Sequence, residues 1–187
     1  MTFPDIVELP TITIASYQFA YDLLASSVSE QFTHVISINN PGEDPPRPLK
    51  AHKGQHLLLA FHDITDPPSG GMVPPSREDV EKILAFAEDI EGKHNVLVHC
   101  AAGISRSSAA ALAIIASKLN PTAPNAQLAI EALLRIKDII HPNHNMVVDT
   151  DHLLGYGGHL RAAYASTFQG GDLLWMPASL RDLEPED

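Results

Sequence analysis

The sequence carries a single cysteine, Cys100, among its 187 residues. One thiol cannot close an intrachain disulfide, so the fold must stand on its core, and a reducing compartment, the cytoplasm, is the expected location. Basic residues are scarce: 12 Lys and Arg face 23 Asp and Glu, for a formal net charge of −11. That balance argues against nucleic acid and anionic membranes as partners, since both need a basic face. It leaves room for a small anion held in a local pocket. No apolar run approaches the roughly 18 residues of a membrane span. The opening MTFPDIVELP has no basic n-region and no apolar h-region, so no secretory signal is expected. No internal repeat or low-complexity tract occurs. The length suits one domain with a sizeable core, expected over 1–165, and a C-terminal tail over 166–187.

What is present is a clear alternation. Residues 34–38 (HVISI), 56–61 (HLLLAF) and 95–99 (NVLVH) read as short apolar strands. Between them lie two proline-rich loops, 39–48 and 63–75. Ser76 with Asp79 three residues on forms a capping box, and Val80, Ile83, Leu84, Ala87 and Ile90 give a helix over about 77–91, closed by Gly92. Residues 107–119 are apolar on every side, which predicts a buried central helix. Thr122 and Pro124 open a further helix whose apolar face runs through Ala129, Leu133 and Ile136 to Ile140, before Pro142. A last helix is expected over about 145–154, resuming over 159–165 after the glycines at 155, 157 and 158. Strands alternating with helices predict a single α/β domain with a central, mostly parallel sheet flanked by helices. The apolar residues 173–176 are expected to pack back on the body.

The chemistry concentrates in residues 96–107, VLVHCAAGISRS. A buried strand ends at His99, a short loop of small residues follows, and a buried helix begins. Backbone N–H groups in such a loop converge on a helix N-terminus and make a nest for an anion. Cys100 stands at its mouth, where amides and helix dipole favour the thiolate. Gly103 lets the backbone turn. Arg106 offers a planar fork matched to two phosphate oxygens. Thiolate, amides and arginine around one small volume suit nucleophilic attack on phosphorus.

His99-Cys-Ala-Ala-Gly-Ile-Ser-Arg-Ser107 resembles the His-Cys-x5-Arg-Ser/Thr signature of the cysteine-dependent protein tyrosine phosphatases, and its wording is most similar to the dual-specificity branch. The strand at 34–38 and the pair Pro142-Asn143 are similar to flanking features of that branch, and the resemblance spans roughly residues 12–160. It implies a protein-tyrosine-phosphatase-like fold and a phosphatase that forms a phosphocysteine on Cys100. By the same resemblance, Arg106 and the amides of Ala101, Ala102, Gly103, Ile104, Ser105 and Arg106 bind the phosphoryl oxygens. Ser107 assists the sulfur as leaving group, and His99 orients the loop. No cofactor and no metal are implied.

The family's general acid is an aspartate on a separate mobile loop. Asp63 directly follows the strand over 56–61 and is the favoured candidate, with Asp66 the alternative. Glu78 and Asp79 are explained as first-turn helix acids. Pro67, Pro68, Gly70 and Gly71 would give that loop stiff segments and hinges. His141-x-x-His144 and the pair His52 and His56 are read as loop histidines rather than metal ligands. Phosphoproteins or small phosphate esters are the expected substrates. The signature loop contains no lysine, which lowers the case for a polyanionic lipid headgroup. Two other readings stand beside the phosphatase: a phosphate-binding pseudophosphatase, and a rhodanese-like sulfurtransferase.

Overall fold

The computed structural model describes residues 8–168. Its centre is a four-stranded, wholly parallel sheet of β1 (Thr11–Ser16), β2 (His34–Asn39), β3 (Gln55–Ala60) and β4 (Asn95–Cys100), in the order β1-β4-β2-β3. Parallel pairing puts all four C-terminal ends on one edge, where ligands of open α/β sheets bind. Ser16 lies beside Cys100 and Ser37 beside His99 in the ladder. β4 is flanked on both sides by strands and is buried along nearly its whole length, His99 included. β3 forms an edge and is largely exposed.

Strand β1 escapes the apolar-run criterion because TITIAS alternates threonine with isoleucine. Both residue types are β-branched, and of the two the isoleucines, not the threonines, point into the core. It leads into α1 (Tyr17–Ala25), capped by the Ser16 side chain. A small apolar cluster of Ala15, Ala20, Leu24, Val35, Leu49 and Leu97 joins α1 to that face of the sheet. The other face carries the main core and the helices α2 (Arg77–Glu88), α3 (Arg106–Ser117), α4 (Ala123–Ile136), α5 (His144–Leu153) and α6 (His159–Phe168).

Helix α2 begins with the expected Ser76–Asp79 capping box. Helix α3 is buried from Arg106 to Ala116, and its many alanines let the surrounding helices and the sheet approach closely. Helix α4 stops earlier than its apolar pattern suggests. Lys137 is extended, with φ −155° and ψ 135°, and its ammonium donates to Gly103 O at 2.7 Å. Ile140 is still buried, so the pattern reported burial there and not helix. The α5–α6 junction is built on Asp151, a buried carboxylate that accepts from the N–H groups of Gly158, Leu160 and Arg161. Helix α6 runs to Phe168, which is buried, so the boundary expected at 165 falls inside a packed helix. The apolar residues 173–176 lie outside the described residues.

Candidate active site

The ends of the four strands bring the functional side chains together. β4 delivers His99 and Cys100, and residues 101–105 bend directly into α3. Cys100 is buried, with its Sγ 3.2 Å from Ser107 Oγ and accepting from the Gly103 amide at 3.3 Å. The sulfur therefore sits against the first turn of α3. That turn has no side-chain cap, because Ser105 turns its hydroxyl elsewhere. Its amides and the positive end of the helix dipole are left for a ligand.

The loop's carbonyls face outward. Ala101 O accepts from Tyr17 N at 3.1 Å and Gly103 O from Lys137 Nζ. Ile104 O accepts from His141 N and from the Ser108 hydroxyl, and Ser105 O from Asn143 N at 3.3 Å and Ala109 N at 3.0 Å. In a trans peptide the N–H of the next residue points opposite to each carbonyl. Outward carbonyls at 101, 103, 104 and 105 thus direct the amides of Ala102, Ile104, Ser105 and Arg106 inward, forming a nest. Gly103 makes the bend with φ +71°. A Cβ there would lie 2.5 Å from the Ala15 carbonyl carbon, so the close approach of loop to β1 also requires glycine.

Arg106 is 3% exposed. Its Nη1 donates to Asn40 Oδ1 at 2.9 Å and to Phe61 O at 2.6 Å, while Nε is buried without a hydrogen-bond partner among the described residues. Asn40 is held in turn by Glu43, through Nδ2 to Oε1 at 2.9 Å and its own N–H to Oε2 at 3.2 Å. Those bonds hold the Glu43 carboxyl below the usual carboxylate range. His99 is fully buried and shares a 2.7 Å hydrogen bond between Nε2 and Ser37 Oγ. Burial pushes its pKa down to about 4, the Cys100 backbone opposing part of the shift. The ring is neutral at pH 7, so it acts on the loop as a dipole and a packing surface, not as a charge.

Asp63 lies just beyond β3, exposed, and accepts at Oδ1 from Ser105 Oγ at 2.6 Å and from Asn143 Nδ2 at 3.1 Å. Asp66 makes no such bond to the loop. Both line a cleft of about 570 Å³ with Ser105, His141, Asn143 and Tyr164. A second cleft, of about 560 Å³, lies on the other flank of the loop between Tyr17, Asn39, Glu43, Arg47 and Ala101. The hinge-rich loop after Asp63 is pinned near both ends. His62 N donates to Val73 O, Val73 N donates to His62 Nδ1, and Asn145 Nδ2 donates to Thr65 O. Ser37, Asn40 and Lys137 join the site through contacts that no local pattern in the sequence marks. His141 and His144 pack against the Tyr164 ring, and no group of three or more metal-ligating side chains occurs among the described residues.

These elements define a class: an α/β domain of the cysteine-phosphatase fold, with a cysteine and an arginine at the two ends of a loop whose amides turn inward. Solved structures share the architecture. A human tyrosine phosphatase-like serine/threonine/tyrosine-interacting protein aligns with 78% of this chain and 91% of its own at TM-score 0.56 and 22% identity. DUSP15 aligns with 86% and 94% at TM-score 0.52 and 22% identity. The Yvh1 phosphatase domain from Chaetomium thermophilum aligns with 80% and 92% at TM-score 0.52 and 22% identity. At these identities the likeness is one of fold. No family model matches the chain. A probable dual specificity protein phosphatase of Dictyostelium discoideum is 34% identical over 117 residues, which is 63% of this chain and 26% of that protein. The chain thus spans about a quarter of that relative's length. In fold the chain is similar to the cysteine-dependent protein tyrosine phosphatases, and its sequence match is to a probable dual specificity protein phosphatase.

Proposed function

We propose that the chain hydrolyses phosphate monoesters through a phosphocysteine on Cys100, taking phosphotyrosine and also phosphoserine or phosphothreonine. One observation carries the reading. Arg106 is buried and anchored through Nη1, with Nε unpartnered among the described residues, beside a loop whose amides turn inward around the Cys100 sulfur. A buried guanidinium donor without a partner calls for an anionic acceptor, and an arginine fork matches two oxygens of a phosphoryl group.

The residues divide the work as follows. The phosphoryl oxygens sit on Arg106 and on the amides between Ala101 and Arg106. The Cys100 thiolate attacks phosphorus, the P–O ester bond breaks, and its electron pair leaves with the ester oxygen. Asp63 gives that oxygen a proton. Water then attacks the phosphocysteine, Asp63 takes the proton back, and the S–P bond breaks to return thiolate. Ser107, at 3.2 Å from the sulfur, donates to the departing thiolate. Buried, neutral His99 keeps β4 and the loop in register with Ser37. The tie from Asp63 to the signature loop through Ser105 favours Asp63 over Asp66 as the acid.

Neither competing reading has comparable support. A pseudophosphatase needs a missing group, and Cys100, Arg106 and an adjacent carboxylate are all present. A sulfurtransferase has no use for the tethered carboxylate. A lone nucleophilic cysteine works in a reducing compartment, which supports a cytoplasmic location. No helix among the described residues is long and apolar enough to cross a membrane. The test is a panel of phosphotyrosine, phosphoserine and phosphothreonine peptides, small phosphate esters and thiosulfate, with Cys100→Ser as control. Phosphate release that the control abolishes is expected. Sulfur release from thiosulfate, or no turnover of any ester, would replace this reading.

A further inference from the structure

Asp63 is on the surface, yet its carboxyl is held from two directions. Ser105 Oγ and Asn143 Nδ2 both donate to Oδ1, and Oδ2 accepts no hydrogen bond among the described residues. Asn143 is 3% exposed and uses its whole amide. Its Oδ1 accepts from Met146 N at 3.5 Å, capping α5, while Nδ2 also reaches Ile64 O at 3.4 Å. The partners fix which amide atom is which, since Met146 N–H only donates and Ile64 O only accepts. The backbone N–H of the same residue donates to Ser105 O at 3.3 Å. One buried residue, through its backbone N–H and its side chain, thus joins the signature loop, the Asp63 segment and the start of α5.

We propose that Asn143 and Ser105 are a positioning pair that decides which oxygen of Asp63 carries the catalytic proton. This rests on the reading of Asp63 as the general acid. A protonated carboxyl has one hydroxyl oxygen and one carbonyl oxygen. Two donors on Oδ1 fit only the form with the proton on Oδ2. As the P–O bond breaks, that proton moves from Oδ2 to the leaving oxygen, and the carboxylate that remains still accepts at Oδ1. Water returns a proton to Oδ2 in the second step. The pair therefore suits both states without rotating the side chain. The other titratable groups facing Asp63 across the cleft are Asp66 on its own loop and His141 and His144 beside Asn143.

Asn143→Ser keeps a capping oxygen for α5 but loses the amide donor. It should lower kcat/KM, which reports the P–O-cleaving step, on phenyl phosphate by about tenfold and on p-nitrophenyl phosphate, whose phenol leaves unaided, by less than about twofold, a fraction of a general acid's worth. Added to Asp63→Asn it should cost nothing more. Asn143→Asp places a second carboxylate beside Asp63, which raises the pKa of the acid, so the basic limb of the kcat/KM profile should move to higher pH. Equal losses on both esters, no loss on phenyl phosphate, additivity with Asp63→Asn, or an unmoved basic limb in Asn143→Asp would each overturn the proposal. If Asn143→Ser does not fold, Asn143→Asp decides alone. A leaving-group-dependent loss in Asp63→Asn with none in Asn143→Ser would spare the acid and sink the pair. No such loss in Asp63→Asn itself would remove the acid and the pair together.

Discussion

Acid should destabilise this protein through one buried ring in particular. His99 is fully buried on β4, and its pKa falls from 6.5 to about 4 on folding. Below pH 6.5 the unfolded chain takes up a proton that the folded chain refuses until about pH 4. Stability therefore decreases as pH is lowered across that window and is independent of this group outside it. At about 1.4 kcal/mol per pH unit, the loss is about 3 kcal/mol by pH 4, a large share of a small domain's stability. Burial also lowers the pKa values of His34 and His56, which pull in the same direction. Replacing the ring isolates its share. His99→Gln puts an amide nitrogen near the place of Nε2, within reach of Ser37, and cannot titrate. Urea unfolding of wild type and His99→Gln should be followed at half-unit steps from pH 7.5 to 4. The difference in unfolding free energy between the two should be constant above pH 6.5 and shrink by about 3 kcal/mol toward pH 4. Parallel curves through the whole range would refute the neutral, buried imidazole, and with it the view that no charge stands behind the Cys100 backbone.

Substitutions at three positions probe the loop and the α5–α6 junction. Gly103→Ala forces a left-handed φ on a residue with Cβ and sets that carbon against the Ala15 backbone, so it should cost at least about 1–2 kcal/mol. Activity should fall further than the melting temperature implies, and an unchanged kcat/KM would mean the loop is not pressed against β1. Arg106→Lys keeps the charge but loses the fork and its two anchors, and should lower kcat by about 100- to 1,000-fold; near-wild-type turnover would remove Arg106 from the site. Asp151→Ala leaves three N–H groups of the α5–α6 junction without their acceptor and should cost about 2–3 kcal/mol in thermal or urea unfolding. Asp151→Asn should cost less, because one acceptor oxygen remains, and equal losses in the two would contradict the capping role.

The parts of the site that were readable in the sequence are those written locally. Cys100, Gly103 and Arg106 lie within one strand–loop–helix segment, where seven consecutive positions fix the geometry. Strands β2, β3 and β4 announced themselves as apolar runs, although the pairing runs from Gln55 to Ala60 rather than 56–61. The last apolar residue, Phe61, leaves the ladder with its carbonyl turned to Arg106. Strand β1 was hidden by its threonines. The supporting shell was not readable for a physical reason. Asn40 meets Arg106 across 66 residues, Ser37 meets His99 across 62, and Lys137 meets Gly103 across 34. Those pairings are set by the parallel sheet and by where α4 ends, and no local periodicity encodes them. Asn143 was visible only as half of a Pro-Asn pair; its bond to Asp63 spans 80 residues.

The central claim is that Cys100 becomes phosphorylated during turnover. Acid-quenching the protein with excess phosphotyrosine peptide, digesting it and analysing the peptides by mass spectrometry tests this directly. One added phosphoryl group is expected on the peptide containing Cys100, absent in Cys100→Ser along with turnover. Sustained phosphate release by Cys100→Ser, or a phosphoryl group on any residue other than Cys100, would contradict it.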